Sequence, residues 1–185
     1  DAHVSIAEFE SIKDRVIIIN GLSKAYAMTG WRLGFSASNK EIANACDKLQ
    51  SQVTSGTCSI TQKAGIAAYN GSLDSVKEMQ VVFEKRRNLV YELLKEIPGL
   101  KVNLPGGAFY FFPDVSSFFG KTTEDGEVIN TSDELALHIL NAGHVAVVSG
   151  DAFGDKNSIR ISYAASEDKL KEACLRIKNT LAKLK

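Results

Sequence analysis

The chain has 185 residues, enough for one ordinary domain or two small ones. It is 44% hydrophobic and 24% charged, which supports a buried core and excludes an intrinsically disordered chain. The 22 basic and 22 acidic residues cancel, so the charge balance favours neither nucleic acid nor an anionic membrane as partner.

Cys46, Cys58 and Cys174 are widely spaced and odd in number, which fits neither a disulfide framework nor a zinc site. They read as reduced thiols of a cytoplasmic protein. No apolar run approaches the roughly 20 residues of a membrane span, and no signal peptide is visible. Asn70-Gly71-Ser72 and Asn130-Thr131-Ser132 match the glycosylation pattern, but without a secretion signal they read as chance. The chain opens Asp1-Ala2-His3-Val4, without an initiator methionine, and reads as a portion of something longer.

The first strong element is Arg15–Asn20, where a run of β-branched residues predicts a strand buried on both faces. A short loop leads to a second predicted strand, Trp31–Ala37. Asn39 then caps a helix whose stripe is Ile42, Ala45, Cys46, Leu49 and Val53. Residues 52–61 are a polar loop, and a helix is expected from Ala64 to Tyr69. From Leu73 to Ile97 runs a long helical pattern, stopped by Pro98-Gly99.

Past Pro98 the texture changes. Short strands are predicted at 101–104 and 108–112, around Pro105-Gly106-Gly107. A polar loop covers 116–130. Thr131 or Ser132 caps a helix over 133–141, ended by Gly143. Strands follow at 145–148 and 159–163. Ser166 caps the last helix, with Leu170, Ala173, Cys174, Ile177, Leu181 and Leu184 as its stripe. The boundary between two domains is expected inside the long helix, near residues 90–98.

Three residues near the first strand carry candidate chemistry. Lys24 sits at its mouth, where a desolvated ammonium is costly unless paired or neutralised. One reading is a lysine that forms a Schiff base with a carbonyl; the other is a loop lysine that reaches solvent. Arg32 lies eight residues on, and arginine suits bidentate phosphate recognition. Ser23, Lys24 and Arg32 together would suit a phosphorylated aldehyde. Farther on, Arg160 is flanked by Ile159, Ile161 and Tyr163. An arginine there meets either a ligand carboxylate or an acidic side chain of the protein itself.

The run Asn20–Gly34, NGLSKAYAMTGWRLG, closely resembles the cofactor-lysine segment of fold-type I pyridoxal-phosphate-dependent aminotransferases. It looks most like the bacterial aspartate aminotransferase branch. The resemblance continues through Pro105–Tyr110, Gly150–Gly154 and Ile159–Ala164, so it covers essentially the whole chain. It implies an α/β fold: residues 1–95 as the C-terminal part of the large cofactor-binding domain with a long connecting helix, and 96–185 as a small C-terminal α+β domain. It implies pyridoxal 5'-phosphate as cofactor, amino acid and 2-oxo acid substrates with aspartate first, and a homodimer. Lys24 would bind the cofactor covalently and shuttle the substrate proton. Ser23 and Arg32 would hold its phosphate, and Arg160 would clamp the α-carboxylate. Residues 57–61 resemble the segment that reaches the partner subunit's phosphate.

There are departures from the family pattern. The aspartate for the pyridinium nitrogen and the tyrosine for the cofactor oxygen, which precede the lysine in the family, are not visible here. Ser149 stands where relatives often have proline, and is expected to alter only a turn. The 185 residues alone are therefore expected to have little or no activity. Two alternatives remain open: a ligand-sensing domain of a transcription regulator, and a different pyridoxal-phosphate enzyme on the same fold. Gly120-Lys121-Thr122 fails as a phosphate loop because position 115 is Val115. The three histidines lack metal-ligand spacing, and no metal is expected. Phe109–Phe112 reads as core strand, with Phe109 or Tyr110 able to border the substrate pocket.

Overall fold

The computed structural model describes residues 3–185. Besides 3-10 segments, the described residues form five strands and five α-helices: β1 (Ile18–Gly21), β2 (Gly34–Ala37), α1 (Lys40–Val53), α2 (Ser59–Asn70), α3 (Asp74–Lys95), β3 (Tyr110–Phe111), α4 (Ser132–Gly143), β4 (Val148–Ser149), β5 (Ile159–Ser162) and α5 (Glu167–Ala182). Two compact units divide the chain, Asp1–Lys77 and Glu78–Lys185, so the boundary falls in the first turn of α3.

In the first unit, β1 and β2 form an antiparallel pair in which Ile18 faces Ala37 and Gly21 faces Gly34. The strand predicted over 15–20 is shorter, because residues 10–15 form a 3-10 helix. Nor is it buried on both faces: Ile17 is 48% exposed and Ile19 83% exposed. The physical reason is that β1 has one neighbouring strand, and its sheet stops at two among the described residues. The expected Asn39 cap is present, the side chain accepting from the Ile42 N–H at 2.9 Å. The stripe of α1 points to solvent at Leu49 and Val53, and no residue of that helix is buried.

The second unit holds the large apolar core. Val90 and Leu94 of α3, Ile97 and Leu100, Phe111, Val115, Phe118, Leu135 and Ile139 of α4, Ile159 and Ile161 of β5, and the stripe of α5 form one cluster. All the predicted stripe of α5 is buried except the half-buried Ala173. The sheet has the order β3-β5-β4, antiparallel throughout. It is smaller than expected. Residues 101–104 make no strand but one bridge, Lys101 to Asp114, and 145–148 contributes only its end to β4. The strands give the core Phe111, Ile159 and Ile161, and the long helices α3, α4 and α5 pack their buried stripes with these. Tyr163 directly follows β5, the central strand, its ring against Phe111 and its hydroxyl donating to the Ala108 carbonyl at 2.8 Å.

Candidate active site

The connection between β1 and β2 carries Ser23, Lys24 and Arg32. It begins where Gly21 faces Gly34, and a Cβ on Gly21 would come within 3.0 Å of the Leu33 carbonyl oxygen. The ladder runs one step further, the Leu22 N–H donating to the Leu33 carbonyl at 3.2 Å. Beyond that step the ladder stops, with Ser23 entering a turn on one side and Arg32 left-handed on the other. Leu22, at 1% exposure, anchors the loop from below.

Above Leu22 the chain turns tightly through residues 23–26, with the Ala27 N–H donating to the Lys24 carbonyl at 3.0 Å. Thr29–Trp31 then form one 3-10 turn. Ala27 and Arg32 both adopt left-handed backbone, at φ 53° and 52°. That conformation costs a non-glycine residue roughly 1–3 kcal/mol and clusters at functional sites. The second predicted strand, over 31–37, therefore begins only at Gly34: the left-handed turn at Arg32 interrupts it.

The loop is braced by α2. Tyr26 packs edge-on to Tyr69 at 5.6 Å between centroids, and Phe35 does so at 5.7 Å. Gly65 of α2 lies against Leu33. Ser23 is half-buried, Lys24 and Arg32 are exposed. Arg32 donates one hydrogen bond, Nη1 to the Thr29 carbonyl at 2.9 Å, and has no acidic partner among the described residues. Its remaining donors and the Ser23 hydroxyl are of the kinds that bind phosphate, and both residues lie on the same connection as Lys24.

In the second unit Arg160 lies on β5, opposite Val148 of β4. No carboxylate pairs with it among the described residues, so the intramolecular salt bridge is not its role here. Its Cζ instead stands 4.4 Å from the Tyr110 ring centroid and 4.2 Å from that of Phe153. Phe153 carried no signal of its own in the sequence beyond lying in the run Gly150–Gly154. Ser149 does more than alter a turn. Its buried hydroxyl shares a 2.9 Å hydrogen bond with that of Ser132 and accepts from the Asp151 N–H at 3.3 Å. It thereby ties the start of α4 to the loop that carries Phe153.

A hairpin loop presenting a lysine, a serine and an unpaired arginine, on a chain of mixed helix and strand, defines a member of a known class. Residues 2–177 match the model for aminotransferase class I and II, and the chain belongs to that family. It is 46% identical to an aspartate aminotransferase of Pinus pinaster, over 99% of this chain and 38% of that protein. It is also 46% identical to a Rhizobium meliloti aspartate aminotransferase, over 94% of this chain and 43% of that protein. A crystal structure of the aspartate aminotransferase from Rhizobium meliloti superposes with a TM-score of 0.95 at 43% identity, over 99% of this chain and 46% of that one. An aromatic aminotransferase from Pyrococcus horikoshii gives 0.89 at 36% identity, over 98% of this chain and 47% of that one. The fold is thus the α/β fold of these enzymes, and the chain spans less than half the length of the relatives it matches.

Proposed function

We propose that this chain belongs to an amino-acid aminotransferase that uses pyridoxal 5'-phosphate. It would move an amino group between an amino acid, aspartate first, and a 2-oxo acid. The observation that carries the reading is the connection between β1 and β2, which holds Ser23, Lys24 and an Arg32 without an acidic partner among the described residues. The relatives named aspartate aminotransferase support the choice of aspartate.

In this reading Ser23 and Arg32 hold the phosphate, the arginine by charge-assisted bidentate donation. Lys24 would hold the cofactor through its Nζ and, once the substrate releases it, would carry the proton from the substrate Cα to the cofactor carbon. The cofactor, when bound, supplies the electron sink that makes that proton removable. Arg160 binds the substrate α-carboxylate through its N–H edges. Residues 1–95 serve as the end of the cofactor-binding domain, closing with α3 as the connecting helix, and 96–185 as the small domain. The full-length protein acts as a cytoplasmic homodimer, and the 185 residues alone are inactive.

The test uses the full-length protein. It is loaded with pyridoxal phosphate and reduced with borohydride, and the modified peptide is mapped by mass. The label is expected on Lys24. A label on another lysine, or none, overturns the reading.

A further inference from the structure

Arg160 is held in an unusual way for an arginine on a strand. It is half-buried, makes no ion pair among the described residues, and has an aromatic ring within 4.5 Å of its Cζ twice over. Each of the two rings is also in contact with a further ring.

Three separate elements build this arrangement. Tyr110 pairs with Ser162 across β3 and β5, which puts it on the same face of the sheet as Arg160, two residues away along β5. Phe153 ends the 3-10 turn Asp151–Phe153 that follows β4. Each ring is itself backed by another. Phe109 lies 4.4 Å from Tyr110, and Phe112 meets Phe153 edge-on at 6.2 Å.

A guanidinium carries all five of its donors in its own plane. Rings on its faces leave those donors uncovered at the edges while fixing the plane's direction. The rings attract the cation without neutralising it, unlike a carboxylate neighbour. A planar, bidentate anion is the partner such a preorganised edge accepts, and a carboxylate has that geometry.

We infer that Tyr110 and Phe153 are positioning residues that clamp the Arg160 guanidinium edge-out for a substrate carboxylate. The inference rests on the reading of Arg160 as the carboxylate-binding residue. Its experimental consequence is a defect in binding with little defect in turnover, because the carboxylate is held equally in ground and transition states.

The test uses the full-length holoenzyme and maleate, an unreactive carboxylate, titrated calorimetrically. F153L and Y110L keep apolar bulk but remove the ring. Each is expected to weaken maleate binding by roughly three- to thirty-fold, the range of one partly desolvated cation–π contact. KM for the amino acid rises to match, with kcat within about twofold. F153Y and Y110F, which keep the rings, restore parental affinity, and melting temperatures identify any variant that fails to fold. R160K serves as reference and weakens maleate binding at least as much. If R160K weakens binding while both leucine variants bind as the parent does, the clamp is refuted and the carboxylate role of Arg160 stands. If R160K also binds as the parent does, that role falls and the clamp with it.

Discussion

Asp114 shows how one side chain can lock a turn and make stability depend on pH. Its carboxylate accepts from the Ser116 N–H at 2.8 Å and lies 3.2 Å from the Lys101 ammonium, while its backbone pairs with Lys101 in both directions. The Ser116 hydroxyl and backbone N–H, and then Lys101, hold its carboxyl below the usual range. A carboxyl whose folded pKa is depressed stabilises the fold above its unfolded value and loses that contribution as pH falls through the folded value. D114N is expected to lower stability at pH 7 by about 0.5–1 kcal/mol, a modest figure because the lysine is solvent-exposed. The deficit should begin to shrink below the ordinary carboxyl value of about 3.9 and disappear only at still lower pH, once the folded carboxyl, held below that value, takes up its proton. Urea unfolding of both proteins at the two pH values measures it, and a deficit unchanged at low pH would rule out the charge as its source.

At the scale of elements, much was legible where periodicity governs. The stripe Leu170, Cys174, Ile177, Leu181 and Leu184 is buried as the helical spacing requires, and Asn39 and Thr131 cap the helices they precede. The loop between β1 and β2 was legible as a place but not as a shape. Its turn rests on i to i+3 hydrogen bonds and two left-handed residues, Ala27 and Arg32, and neither leaves a periodic trace. The faces of Arg15–Asn20 were misread because burial of a strand depends on what lies over it, which no local pattern encodes. Phe153 was missed for a related reason. It meets Arg160 only because the segment after β4 folds back tightly. Gly150 makes that fold possible: a Cβ there would sit 2.3 Å from the Asp155 carbonyl oxygen and 2.4 Å from that of Ser158. Both are backbone atoms and cannot swing aside. G150A is therefore expected to cost about 1–3 kcal/mol in chemical unfolding, the usual range for overpacking. It should also displace Phe153 and weaken carboxylate binding by the full-length enzyme. Parental stability in G150A would mean that the segment is pliant.

At the scale of the whole chain, the two units differ in how they are held. The contiguous apolar core lies entirely between Val90 and Leu184, within the second unit. Among the described residues of the first unit, Leu22 is the one buried large hydrophobic, while Ile17, Ile19, Phe35, Leu49, Val53, Ile60 and Ile66 are exposed. Burial of apolar surface is the main favourable contribution to folding, at roughly 25 cal/mol per Å². Local opening should follow its distribution, with regions of few buried contacts opening at the lowest free energy. Limited proteolysis of the 185-residue chain is therefore expected to cut first within the residues up to Lys77, and to leave a resistant fragment beginning near Glu78. Mass analysis over a time course distinguishes this from uniform loss, the result expected if the two units unfolded as one. The same difference separates the two candidate sites within the 185-residue chain. The loop bearing Lys24 and Arg32 depends on the weakly buried unit, while the aromatic frame of Arg160 depends on the strongly buried one. Destabilising conditions should therefore disturb the lysine loop before the arginine clamp, and cuts near residues 22–33 should appear while Phe153 is still protected.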